Sequence, residues 1–218
     1  MTTADKTAIL FGATGLVGSE LLGMLEQDST YSKIKVFGRS KPKFTSEKVE
    51  VFIGDLRNPE RLSDNLTGHD LFICLGTTIK VAGSKKEFRR IDLELPAKVA
   101  AMAQTNGVET AIVISSLGAN ATSNNFYLHT KGEMEQKITA LAFEKVAIMR
   151  PSLLLGNRSE FRLGEVISRN AFKVFGFLLS GKLKRYRPVQ AAAVAAAMHK
   201  AANNSHTGVV IVESETIG

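Results

Sequence analysis

A short apolar run at residues 8–11 leads directly into Gly12-Ala13-Thr14-Gly15-Leu16-Val17-Gly18, and a helical apolar pattern begins inside that turn at Leu16. Few arrangements satisfy all three parts. A buried strand must end, the chain must turn tightly, and a helix must start against the strand it has just left. Glycine at position 12 permits a backbone path that a β-carbon obstructs. Glycine at 15 lets the main chain approach a pyrophosphate, and glycine at 18 lets the helix pack closely on the strand. The helix N-terminus then turns its unpaired N–H groups and the positive end of its dipole toward the phosphates. A purely structural turn has the same composition. The position at the first strand of the chain is what favours dinucleotide binding.

The 218 residues amount to one ordinary domain, and no repeat, low-complexity tract or linker divides them. Short apolar runs alternate with helical patterns. This predicts an α/β fold of the Rossmann type, doubly wound, with a mainly parallel sheet and helices on both faces. Strands are expected at 8–11, 34–37, 49–53, 71–75, 111–114, 146–149 and 209–212, and helices at 16–27, 85–104, 131–142 and 189–202. Asn58-Pro59-Glu60 reads as a cap followed by proline in the first turn of a short helix ending near Leu66. Residues 156–188 are less regular and follow the sixth strand, where an insertion is well placed to cover a substrate.

Composition removes several function classes. No run of 18 apolar residues occurs, so no transmembrane helix is expected. The opening Met-Thr-Thr-Ala-Asp-Lys lacks an apolar signal region, from which a cytoplasmic location is expected. The single cysteine, Cys74, excludes an internal disulfide, and within the run 71–75 it reads as a small buried hydrophobe. Net charge is +7, with a basic cluster at Lys182, Lys184, Arg185 and Arg187. No DNA-binding motif or aromatic-interleaved groove accompanies the cluster, which disfavours nucleic acid and favours a solvated loop or cations facing an anionic ligand. Arg158, Arg162 and Arg169 point the same way. His69, His199 and His206 have no carboxylate or cysteine at ligand spacing, and no metal site is expected. The expected partner is a small-molecule substrate; oligomeric state and protein partners stay open.

A second cluster carries chemistry. Ser115 and Ser116 end the fifth expected strand, and Tyr127 and Lys131 follow at i, i+4, a spacing that puts both on one helix face. A tyrosine near pKa 10 is a poor base at neutral pH, and an adjacent ammonium favours its phenolate. Such a tyrosine exchanges a proton with a carbonyl or alcohol while hydride passes to or from a nicotinamide. A strand-end serine, Ser116 before Ser115, steadies the same substrate oxygen. His129 falls at i+2 from Tyr127, facing solvent, and Glu133 and Glu135, two and four residues after Lys131, read as charge partners on an exposed helix rather than as general acids.

The second expected strand closes with Gly38-Arg39-Ser40-Lys41 and has no carboxylate for a ribose 2′-hydroxyl. A guanidinium there suits a 2′-phosphate, which favours NADP(H) over NAD(H), with Ser40 and Lys41 assisting. A surface arginine after a strand is the plainer reading of Arg39. Asp55 with Leu56 offers an adenine contact or, equally, a turn.

Taken together, these motifs resemble the short-chain dehydrogenase/reductase superfamily in its extended or atypical branch. The blocks Phe37-Gly38-Arg39, Cys74-Leu75-Gly76-Thr77-Thr78, Ser115-Ser116-x-Gly118-Ala119, Tyr127-Leu128-x-x-Lys131-Gly132-Glu133 and Arg150-Pro151 are similar to the Tat-interacting-protein oxidoreductases and their bacterial relatives. That resemblance covers essentially the whole chain and implies an NADPH-binding Rossmann domain without a settled substrate. It places Thr14, Gly15, Leu16 and Val17 on the cofactor phosphates and Leu75, Gly76 and Thr77 along the nucleotide. Tyr127 and Lys131 fall at the nicotinamide ribose, and Leu154 and Arg162 close over the nicotinamide side. Where such relatives often carry two arginines, this chain has Arg39-Ser40. The expected function is an NADP-dependent oxidoreductase acting on a carbonyl or alcohol. An NADPH-sensing regulatory protein and a nucleotide-sugar epimerase-like enzyme stand as alternatives.

Overall fold

A computed structural model describes residues 5–43, 45–156 and 181–217. Strands β1 (Lys6–Phe11), β2 (Tyr31–Gly38), β3 (Val49–Ile53), β4 (Asp70–Ile73), β5 (Thr110–Ile114) and β6 (Lys145–Arg150) are followed by the two-residue strands β7 (Leu154–Leu155) and β8 (Val189–Gln190), then by β9 (Gly208–Glu213). Seven of them form one wholly parallel sheet in the order β3-β2-β1-β4-β5-β6-β9. The order in which successive strands are added reverses between β1 and β4, so the crevice for a ligand opens at their carboxyl ends.

Among the described residues the α-helices are α1 (Leu16–Gln27), α2 (Ile79–Ala82), α3 (Lys85–Arg89), α4 (Leu95–Thr105), α5 (Phe126–Thr139), α6 (Ala191–Asn203) and α7 (Ser214–Ile217). One face of the sheet buries Ala8, Leu10, Ile34, Val36, Phe72 and Met149 with residues of α1 and α6. The other buries Ile9, Phe11, Phe37, Leu71, Ile73 and Ile148 with residues of α4 and α5. Neighbours along one strand therefore enter opposite cores, which is why the strands read as unbroken apolar runs rather than alternating ones. On the second face Phe11, Phe37 and Phe52 lie in register across three strands. Their rings stack at 5.0 and 4.7 Å between centroids, each pair contributing about 0.5–1.5 kcal/mol beyond burial.

All seven expected strands are present, with most boundaries moved by one to three residues. Three helical expectations are corrected. The helix expected at 131–142 starts at Phe126, because the Asn125 side chain accepts from the Leu128 amide at 3.1 Å and caps it. The segment expected at 189–202 gives its first two residues to β8. The helix expected at 85–104 is divided by a π turn at Arg90–Glu94, with the Leu95 amide reaching back to the Arg90 carbonyl. Pro96 accounts for the division. It lacks the N–H that would bond the Asp92 carbonyl, and its ring crowds that same carbonyl, so the helix widens there. Residues 59–65 form a 3-10 helix with proline in the first turn, yet the Asn58 side chain makes no capping bond. Arg158, Arg162 and Arg169, with most of the region 156–188, lie outside the described residues.

Candidate active site at the carboxyl ends of the strands

The glycine turn closes over the end of β4. Gly12 has φ +86°, and a β-carbon built on it falls 2.4 Å from the Cys74 carbonyl oxygen. One built on Gly18 falls 2.1 Å from the Gly12 carbonyl oxygen, so α1 rests directly on the turn that starts it. The Gly15 amide donates to the Gly12 carbonyl at 2.8 Å, and Gly15 precedes a helix whose first turn carries no acidic residue. The first amides of α1 have no acceptor inside the helix. This compact, uncharged helix start is a cradle that a β-carbon at Gly12 or Gly18 would fill, and it fits a dinucleotide's phosphates. Val17 turns its side chain into the first core, leaving its amide for such a role. Beyond Leu154 the chain crosses the same helix start, since a β-carbon on Gly156 meets Leu16 Cδ1 at 2.6 Å.

Tyr127 and Lys131 share one face of α5. The tyrosine ring packs on Phe88 with centroids 5.5 Å apart, and Phe88 also meets Phe126 at 5.8 Å. Lys131 is 3% exposed, and its Nζ sits 2.7 Å from Asp92 Oδ1. The other carboxylate oxygen of Asp92 accepts from the Thr77 amide at 2.8 Å. Burial disfavours the Lys131 charge, but Asp92 foremost, with Tyr127 and Glu135, more than offsets it and holds the ammonium above its ordinary range. Gly76 borders both groups: its β-carbon position lies 3.5 Å from Asp92 Oδ1 and 3.9 Å from Lys131 Nζ.

Gly132 fixes α5 from the other side. A β-carbon there would fall 2.1 Å from the Ala121 amide nitrogen and 2.2 Å from the Asn120 carbonyl carbon, so the helix backbone lies against the loop that follows the two serines. Ser115 is 4% exposed and its amide donates to the Met149 carbonyl at 2.7 Å, while among the described residues its hydroxyl has no partner. Ser116 is half-buried, and its carbonyl accepts from the Ala119 amide at 3.0 Å.

Other expected residues fall elsewhere. Arg39 and Ser40 are exposed beyond the end of β2. The Asp55 carboxylate accepts from the Arg57 amide at 3.0 Å and so makes a turn, and Leu56 is buried in the second core. Leu75 packs against that same core. Glu133 and Glu135 are both charge partners, as expected, but the exposed setting is corrected for Glu135. Glu133 pairs with Arg89, and with His129 at 3.3 Å. Glu135, expected on an exposed face, is 7% exposed and holds the Arg150 guanidinium at 2.6 and 3.0 Å. Asp92 is the site residue that spacing did not reveal. It stands among Glu87, Arg89, Arg90 and Glu94 as one more charge on a helix, and Pro96 is the signal that singles it out.

Comparison with known proteins gives the family and the fold. A family model described as NAD(P)H-binding matches residues 12–205. A protein of Scheffersomyces stipitis named FMP52-2, mitochondrial, is 39% identical over 158 residues, covering 71% of this chain and 69% of its own. A Rattus norvegicus protein named HTATIP2 is 34% identical over 172 residues, covering 77% of this chain and 71% of its own. Among solved structures, a UDP-N-acetylglucosamine 4-epimerase from Methanobrevibacter ruminantium M1 superposes with a TM-score of 0.72 at 15% identity, over 96% of this chain and 76% of that one. The relatives named mitochondrial overturn the cytoplasmic location expected above. Lack of an apolar signal region bears on secretion alone, because mitochondrial addresses are amphipathic rather than apolar.

Proposed function

From the premise that this chain belongs to the NAD(P)H-binding family, in its atypical short-chain dehydrogenase/reductase branch, we propose that it is an NADP(H)-dependent oxidoreductase acting on a carbonyl or alcohol. One observation carries the reading: Tyr127 and Lys131 stand on one helix face, with the Lys131 ammonium bordering Gly76. A bound nicotinamide cofactor supplies or accepts the hydride. Tyr127 gives a proton to, or takes one from, the substrate oxygen, and Lys131 keeps a positive charge beside it. Ser116, or Ser115 through its unpartnered hydroxyl, steadies that oxygen. Arg39, exposed at the end of β2, is free to meet a 2′-phosphate, and no carboxylate stands beside it in sequence to repel one.

Calorimetric titration with NADPH and NADH tests this reading. Wild-type protein should bind NADPH more tightly, and Arg39→Ala should erase the preference by weakening NADPH ~tenfold, the worth of about one charge-assisted hydrogen bond. Absence of NADPH binding overturns the proposal. A second reading draws on the 4-epimerase that shares the fold. An epimerase-like enzyme retains its cofactor through the reaction, so purified protein would release nucleotide on denaturation, read by absorbance. An NADPH-sensing protein would instead bind cofactor and survive Tyr127→Phe with its cellular role intact.

A further inference from the structure

Eight large apolar side chains stand exposed among the described residues, and five of them lie beyond the carboxyl ends of β4 and β6. Ile79 and Val81 are on α2, which follows β4. Leu153 follows β6, and Leu183 and Tyr186 belong to the 3-10 turn Gly181–Tyr186. That turn is drawn beside Leu153, because the Ser152 hydroxyl donates to the Arg187 carbonyl and the Val189 amide donates to the Leu153 carbonyl at 2.9 Å. Between β4 and β6 runs β5, which delivers Ser115 and Ser116 and leads into α5 with Tyr127. Folding does not account for α2. Three of its four residues are apolar, yet none is buried and Val81 is 60% exposed. The turn is nevertheless held at both ends. The Thr78 hydroxyl accepts from the Val81 amide at 3.2 Å, and the Gly83 amide closes on the Ile79 carbonyl at 3.0 Å. Apolar side chains fixed in water forgo the free energy of burial, and such a patch rimmed by charge, here Lys80, Lys184 and Arg185, marks a ligand site.

We propose that the site takes a carbonyl compound with an apolar body, an alkyl or aryl aldehyde or ketone, rather than a sugar nucleotide. The carbonyl meets Tyr127, and the body lies between α2 and the Leu153 segment. The inference rests on the reading of the chain as a carbonyl oxidoreductase. In reduction the carbonyl carbon gains a hydride from NADPH and its oxygen gains a proton from Tyr127, giving the alcohol and NADP+; solvent returns the proton to the phenolate. The polar groups beside the two apolar shoulders serve the chain itself. Thr78 caps α2, Ser152 holds the Arg187 carbonyl, and Arg185 donates to the Tyr186 hydroxyl at 2.8 Å. A sugar laid there would exchange hydrogen bonds to water for contact with Ile79, Val81 and Leu153, which is unfavourable for each hydroxyl left without a partner. An alkyl or aryl body gains by the same exchange. The aromatic cluster of Phe88, Phe126 and Tyr127 continues that apolar lining up to the reacting hydroxyl.

The test reads binding and turnover separately. Protein labelled with 13C-methyl isoleucine, leucine and valine, with NADPH present, is titrated with 1-butanol, 1-hexanol and 1-octanol, which reduced cofactor cannot oxidise, and with UDP-glucose. The methyl signals of Ile79, Val81, Leu153 and Leu183, each assigned by its loss in a single substitution, should shift together. Affinity should rise ~fourfold per methylene. Val81→Ser should weaken octanol binding ~tenfold, whereas Val209→Ser, the same change at an exposed valine of β9, should leave it in place. Equal shifts with the same midpoint at Val209 and Ile211 overturn the proposal. So does an affinity independent of chain length, or tighter binding of UDP-glucose than of octanol at the same methyls. In the second arm, NADPH oxidation is followed with butanal and octanal, and kcat/KM should be at least ~tenfold higher for octanal. A lower kcat/KM for octanal overturns the apolar class and keeps the oxidoreductase reading. Binding of the alcohols without oxidation of NADPH by either aldehyde strikes the oxidoreductase reading instead, and supports the apolar ligand class.

Discussion

Two groups built from the same three residue types occupy opposite ends of the sheet. At the amino ends of β1 and β4, Asp70 is 1% exposed, and a single one of its oxygens accepts from the Tyr31 hydroxyl at 2.8 Å and from Lys6 Nζ at 3.0 Å. At the carboxyl ends, Asp92 divides its oxygens between Lys131 and the Thr77 amide. There the tyrosine of the group, Tyr127, makes no hydrogen bond through its hydroxyl among the described residues, and packs only its ring. Burial first, then the Asp70 charge and hydrogen bond, push the Tyr31 phenol far above its ordinary value, so it stays protonated. The contrast shows that an aspartate, a lysine and a tyrosine in contact do not make a reactive set. Both carboxylates meet an ammonium, and what differs is the second contact. Asp70 also takes the phenol, and the group braces the fold, whereas Asp92 takes the Thr77 amide and leaves the phenol, which under the proposed function meets the substrate.

The strongest way to break this contrast is to remove the two hydroxyls in turn. Tyr127→Phe should lower turnover of a carbonyl substrate found by screening at least ~100-fold, the scale of lost acid–base catalysis. NADPH affinity should stay within about twofold, since little of the binding free energy changes. Tyr31→Phe should leave turnover alone and cost about 1 kcal/mol in urea unfolding. Equal losses of turnover in both variants would collapse the distinction. Asp70→Ala probes the lower group through its carboxylate. It should destabilise the protein by about 2 kcal/mol with NADPH affinity intact, less than for a wholly buried pair because Lys6 is partly exposed.

The smallest effect expected is one of pH at that same end of the molecule. Asp28 meets His199 Nε2 at 2.7 Å and accepts from the Thr30 amide at 2.8 Å. Partial burial raises its pKa, yet Thr30 and His199 outweigh that and leave the carboxyl below its ordinary range. A depressed carboxyl stabilises the fold above its unfolded pKa, and the contribution is lost as pH falls through the folded value. Asp28→Asn should therefore unfold at lower temperature than wild type at pH 7, with the gap closing below about pH 4. A gap that persists to pH 2 would show that packing, not charge, is what the substitution removes.

How much of this was legible in the sequence differs sharply between residues. Gly12, Gly15 and Gly18 were legible because their spacing is itself the geometry: each marks a place where backbone meets backbone or a phosphate. Tyr127 and Lys131 were legible because four residues make one helical turn. Asp92 was not, since its importance lies in a partner on another helix and in a π turn that periodicity does not describe. Glu135 was misread for a related reason. Helical spacing offers it Lys131, while Arg150, reaching over from β6, offers a bidentate partner that no local pattern announces. Arg39 remains a matter of residue type, because exposed side chains take their meaning from a ligand.

Strand β9 has a consequence for how such a chain is made. It is the sole sheet neighbour of β6 on that side, and Lys145 pairs in register with Gly208. Until residues 208–213 have left the ribosome, β6 is the rim of an unfinished sheet and presents the sticky run Val146–Met149 to other nascent chains. Lys145 and Arg150 bracket that run, one positive charge at each end. Besides holding Glu135 and Glu213, Arg150 is thus placed to act earlier, as a gatekeeper against aggregation during synthesis.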